Sequence, residues 1–140
     1  MARFYKYLIH HTSYIILLTS SLFLLCSCQE GSEAGDLFGQ WRMDSSASNY
    51  IGFSGSVAVL RNVTGVNTTS MQQVYGNFQH AGDSLFIQCY SAEGLRSDTL
   101  VVEEDFGFKP FNNIRLKIES VDGDRLVLSK GTEHWNFYKY

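Results

Sequence analysis

The sequence predicts an all-β domain, an eight-stranded antiparallel up-and-down barrel, placed behind a cleaved N-terminal secretion signal. Three observations support this. Beyond residue 37 the chain is a series of short segments in which apolar and polar residues alternate, the period of a half-buried strand. Gly, Asp and Asn cluster between those segments, and no stretch carries the period of an amphipathic helix. Residues 1–27 have a separate composition that sets them apart from the domain. Eight strands joined by short turns remove their open edges by closing on themselves. A β-sandwich is the alternative architecture for the same alternation.

The leader comes first along the chain. Arg3 and Lys6 give a basic start, and the first acidic residue is Glu30. Tyr14 to Leu25 is an uncharged, mostly apolar run of twelve residues. A membrane-spanning helix needs about 20, whereas this length suits the apolar part of a signal peptide. The run ends in Leu25-Cys26-Ser27-Cys28. An aliphatic residue, small neighbours and then a thiol resemble the lipobox of bacterial lipoproteins. The resemblance implies cleavage after Ser27 and a lipid on Cys28, with palmitate as an acyl donor. Gln29 is not the aspartate that resembles an inner-membrane retention mark, so the implied location is the outer membrane, lipid-anchored and facing the periplasm or the cell surface.

Residues 28–37 are expected to form the lipidated N-terminus and a flexible tether, because Gln29 to Asp36 holds no large apolar residue. Residues 38–140 are expected to form the barrel. Without the leader, nine Lys and Arg face fourteen Asp and Glu, a net charge of −5. That charge disfavours nucleic acid and anionic lipid as partners. The expected membrane attachment is therefore through acyl chains, each buried methylene contributing about 0.8 kcal/mol. With Cys26 removed and Cys28 acylated, Cys89 has no disulfide partner within the chain and is expected to be a buried, inert thiol. A monomer is expected.

The strands follow in order. Phe38 to Asp44 is the first. Phe53 to Asn62 is the second, with Val57 and Val59 on one face and Ala58 and Leu60 on the other. Met71 to His80 is the third, carrying Val74, Gly76 and Phe78 on one face. Ala81-Gly82-Asp83 turns the chain into Ser84 to Tyr90, where Leu85, Ile87 and Cys89 share a face. Asp98 to Glu104 is the fifth strand, through Leu100 and Val102. Asp105 to Asn113 reads as a loop bearing Phe106, Phe108 and Phe111. Ile114 to Val121 and Arg125 to Ser129 form a hairpin around Asp122-Gly123-Asp124, where Asp-Gly suits the positive φ angles of a type I′ turn. Glu133 to Tyr140 is the last strand, with Trp135, Phe137 and Lys139 on one face.

Gly39-Gln40-Trp41 in the first strand is similar to the Gly-x-Trp motif that opens the lipocalin barrel. The ending Trp135 to Tyr140 and the hairpin Ile118 to Leu128 also resemble lipocalin-like domains of bacterial lipoproteins. The resemblance covers residues 38 to 140. It implies that Gly39, Trp41 and Lys139 close the barrel, the lysine lying across the indole ring. Two departures, a shorter domain and no C-terminal helix, fit a compact relative of the lipocalins.

Chemistry-bearing clusters are sparse. His80 and His134 stand apart, outside any ligand spacing, so no metal and no cofactor are expected. Glu103-Glu104-Asp105 lacks the alternation and glycine of a calcium loop, and no serine sits in a nucleophile elbow. An enzyme is not expected. Strand alternation places Val57, Val59, Val74, Phe78, Leu116, Ile118, Leu126, Leu128, Trp135 and Phe137 inside, with Gly76 leaving open space. The leading expectation is non-catalytic binding of a small apolar ligand within the barrel. The alternative is a filled barrel acting as a protein or glycan interaction module, through a free edge or the aromatic loop Phe106 to Phe111.

Overall fold

The computed structural model describes residues 33–63 and 71–140; the leader, Cys28 and the first part of the tether lie outside the described residues. The strands are β1 (Gly39–Met43), β2 (Asn49–Ser54), β3 (Val57–Val63), β4 (Met71–Ala81), β5 (Ser84–Tyr90), β6 (Ile114–Val121), β7 (Arg125–Lys130) and β8 (Glu133–Lys139). Each pairs antiparallel with its sequence neighbour, and β8 returns to β1, closing one barrel. The eight-stranded antiparallel barrel expected from the alternation is the fold. Gly31–Tyr140 is one compact unit. It contains every paired strand and the whole buried cluster, so it has what it needs to fold alone.

The count of eight is reached through a different set of strands. Phe53 to Asn62 is not one strand: Gly55 takes φ +56° and turns β2 into β3. Asp98 to Glu104 is not a strand at all. A short helix α1 (Arg96–Leu100) runs into a π-helical turn at Val101–Asp105. Val101 and Val102 are both buried, and adjacent buried positions suit a helical turn better than a pleated strand. Ser91 steadies its start, accepting a hydrogen bond from the Leu95 amide at 2.9 Å and donating one to the Asp98 carboxylate.

One turn and one strand face also depart from expectation. Gly123 does not take a positive φ. The Asp122 carboxylate instead accepts from the Asp124 and Arg125 amides at 2.9 and 2.7 Å, and those bonds hold its pKa below the usual value. Val57 and Val59 point outward, while Ala58 and Leu60 are buried opposite Phe53 and Ile51. Both faces of β3 are apolar, so alternation alone could not choose between them.

The barrel is stoppered at both ends. The end where β1 starts is here termed the base. Ala34 and Leu37, in and beside the turn Gly35–Leu37, are 0% exposed there. Residues 33–37 therefore belong to the domain rather than to a flexible tether. At the other end the segment 96–113 crosses the mouth. Asn49 donates to the Asp105 carbonyl and Asn62 to the Asp105 carboxylate, each at 2.7 Å, while Phe108 meets Trp135 edge-on at 5.2 Å. Phe106 and Phe108 are buried, so the aromatic loop is a cap over the core and not an exposed contact.

Candidate functional site

The base is built from the first and last strands. Trp41 and Lys139 are register partners. The buried indole donates its N–H to the Leu37 carbonyl at 2.7 Å, and the Lys139 ammonium lies 4.3 Å from its ring centroid. The ammonium also donates to the Phe38 carbonyl. Gly39 sits beneath, at φ +115°, where an added Cβ would come 2.9 Å from the Lys139 stem. Gly39, Trp41 and Lys139 therefore meet as one cluster. A glycine is needed there for both its backbone angle and the lysine's path.

Within the barrel, Val74, Phe78, Leu116, Ile118, Leu126, Leu128 and Phe137 are buried. Trp135 is half-buried beneath the cap, and Val57 and Val59 lie on the outer wall. The lumen is packed rather than open. Phe53 and Phe78 stack edge-on at 5.0 Å, and side chains that offer almost no area to a water-sized sphere do not border a water-sized void. Nor does Gly76 leave space. A Cβ there would stand 3.0 Å from both the Gln88 carbonyl and the Ile87 side chain. Cys89 lies opposite Gly76, and burial pushes its thiol up to about 12.

Concave surface appears instead on the outer wall. A groove of about 240 Å3 runs over β1–β3, bordered by Phe38, Val57, Val59 and Arg61. Gly52 forms part of it. Outward positions Gln40, Gly52 and Val59 are cross-strand neighbours, and a Cβ at Gly52 would have no neighbour closer than 3.8 Å. The missing side chain thus lowers the groove between two flanking residues. Arg61 donates to Gln73 at 3.2 Å and has no carboxylate partner among the described residues. An isolated glycine within apolar sequence is a signal for such a depression, but only the strand boundaries reveal which face it opens.

A polar cluster lies on β6–β8. Ser129 donates to the Glu119 carboxylate at 2.6 Å, and Lys117 donates to its other oxygen at 2.9 Å. The Ser129 bond, then the Lys117 bond, hold the Glu119 carboxyl below its ordinary pKa. The neighbouring His134 places Nδ1 3.2 Å from the Thr132 carbonyl. This is a hydrogen-bond network with its serine proton directed at a carboxylate whose lowered pKa makes it a weak base.

A closed eight-stranded barrel with its tryptophan-and-lysine base defines a class, and comparison with known proteins agrees. The family model described as a lipocalin-like domain matches residues 23–140. The chain belongs to that family. A lipocalin-like protein from Bacteroides uniformis ATCC 8492 has a similar structure, with TM-score 0.62 and 19% identity over 76% of this chain and 100% of that one. An uncharacterized protein from Bacteroides eggerthii DSM 20697 aligns with TM-score 0.58 and 17% identity over 74% and 98% of the two chains. At these identities the likeness concerns the fold alone. A comparison with curated proteins finds no match.

Proposed function

We propose that the chain is a lipid-anchored, non-catalytic binding protein of the outer membrane that takes a small apolar ligand on the outer wall of its barrel. The observation carrying this reading is a pair of facts: the lumen is packed, while the β1–β3 wall holds an apolar groove with an arginine at its rim. Apolar walls supply the affinity and the rim guanidinium favours an anionic end, the chemistry of a short fatty acid. The open groove covers only part of such a molecule, so binding is weaker than in an enclosed pocket. The anchor rests on the lipobox-like Leu25 to Cys28.

Titration of the domain 31–140 with an anilinonaphthalene sulfonate probe tests the reading. Saturable binding is expected in the parent domain. Gly52→Leu should abolish it while shifting stability by no more than about 0.5 kcal/mol, the usual scatter of surface substitutions. Undiminished binding by a folded Gly52→Leu variant would contradict the groove. Absence of binding in the parent would favour the other use of a filled barrel, docking of a protein or glycan. For the anchor, Cys28→Ser in the full chain should block palmitate incorporation, with Cys26→Ser neutral. Labelled palmitate on the Cys28→Ser variant would contradict it.

A further inference from the structure

A second concavity lies further round the wall, where β4 and β5 meet the loop leading to α1. Tyr75 and Tyr90 are direct cross-strand partners there, 44% and 48% exposed. Together with Leu95, Gln73, Glu93 and Asp98 they border a groove of about 250 Å3. Three features distinguish it from ordinary surface. Neither tyrosine ring is paired with another aromatic ring or with a cation among the described residues, and each is about half exposed. Two carboxylates stand at the rim, and the groove's own lining includes no lysine or arginine. Of the cations next to the groove, Arg61 is engaged with the Gln73 side-chain oxygen, and Arg96, beside Leu95 in the chain, is not part of the lining.

The carboxylates differ in how they are held. Asp98 is fixed by the Ser91 hydroxyl, which itself accepts from the Leu95 amide, so this part of the rim is pre-set. Glu93 makes no hydrogen bond among the described residues and remains available to a partner. Free aromatic faces attract a positive charge through the ring quadrupole, and a diffuse, weakly hydrated cation gives up its water most readily. Tyrosine faces with rim carboxylates suit a cation wrapped in methyl groups. A bare metal ion would need converging oxygen ligands instead, and a neutral apolar ligand would leave the two charges unused.

We propose that the groove between Tyr75, Tyr90, Glu93 and Asp98 binds a small organic ammonium ion, of the trimethylammonium type. The site is separate from the β1–β3 groove and does not depend on it. The direct probe is choline chloride, added to the isotopically labelled domain 31–140 and followed by amide chemical shifts at constant ionic strength. Its neutral carbon analogue, 3,3-dimethylbutan-1-ol, has nearly the same shape without the charge. Choline is expected to shift amides of residues 73–75 and 90–98 and to saturate in the millimolar range, binding at least about 5-fold more tightly than the alcohol. Tyr90→Leu and Glu93→Gln should each weaken choline by about 3- to 10-fold, and raising salt should weaken the parent more than the Glu93→Gln variant, which keeps only the Asp98 carboxylate. Gly52→Leu should leave the choline response unchanged. Equal binding of the alcohol would overturn the proposal, as would no response by about 50 mM choline, well beyond the expected range. Unaltered affinity in folded Tyr90→Leu and Glu93→Gln variants would overturn it as well.

Discussion

Trp41→Ala is expected to lower the unfolding free energy of the domain 31–140 by about 3–5 kcal/mol, the range for truncating a fully buried aromatic. Several losses coincide at this position. The indole is fully buried, its N–H satisfies the Leu37 carbonyl at 2.7 Å, and its face carries the Lys139 ammonium. Removing it leaves a cavity beneath the turn Gly35–Leu37 and unpairs that carbonyl. Lys139→Ala removes only a solvent-exposed cation from the ring, so a loss of about 1 kcal/mol or less is expected. Urea melts of the two variants measure both. A Trp41→Ala loss below about 1 kcal/mol would show that the indole does not close the base.

Phe108→Ala should cost about as much, again about 3–5 kcal/mol, because this ring belongs to the cap that seals the other end. It is fully buried, packs against Phe106 at 5.7 Å and meets Trp135 edge-on at 5.2 Å. Its amide donates to the Val102 carbonyl at 2.9 Å, so backbone and side chain together hold the crossing segment in place. The near-UV dichroism of Trp135 should weaken with the loss of its aromatic neighbour. An unchanged melting midpoint would mean that the segment lies loosely over the mouth and contributes little to the core.

The barrel was legible because most strands carry an unambiguous inner face. In β5, Leu85, Ile87 and Cys89 alternate with less buried residues, and β6 does the same with Ile114, Leu116 and Ile118. Trp41 and Lys139 were legible through resemblance, and the structure places them in contact. Three features were not legible, each for a physical reason. β3 is apolar on both sides, so alternation alone allows Val57 and Val59 on either face, and only the pairing with β2 fixes which one is inside. Leu100 and Val102 satisfy a period of two by coincidence. The cap forms a helical turn because Val101, Val102, Phe106 and Phe108 can all be buried that way. Residues 33–36 are small or polar and read as tether, and Leu37 is a single apolar residue at its end. Only a tertiary contact, the Trp41 indole on the Leu37 carbonyl, reveals a stopper.

The placement of β3, the cap and the base turn bears on function, since it moves the recognition surface. A lumen lined by Val57 and Val59, opened by Gly76 and left uncapped, would receive a ligand. The packed lumen, with both valines outside, directs attention to the wall. The proposed apolar ligand is therefore expected outside the barrel. A fatty acid bearing a nitroxide spin label tests this most directly, added to the methyl-labelled domain 31–140 and read by paramagnetic broadening. Broadening of the Val57 and Val59 methyls is expected, with Val74, Leu126 and Leu128 spared. Broadening of Val74, Leu126 and Leu128 before Val57 and Val59 would contradict it and place the ligand in the lumen.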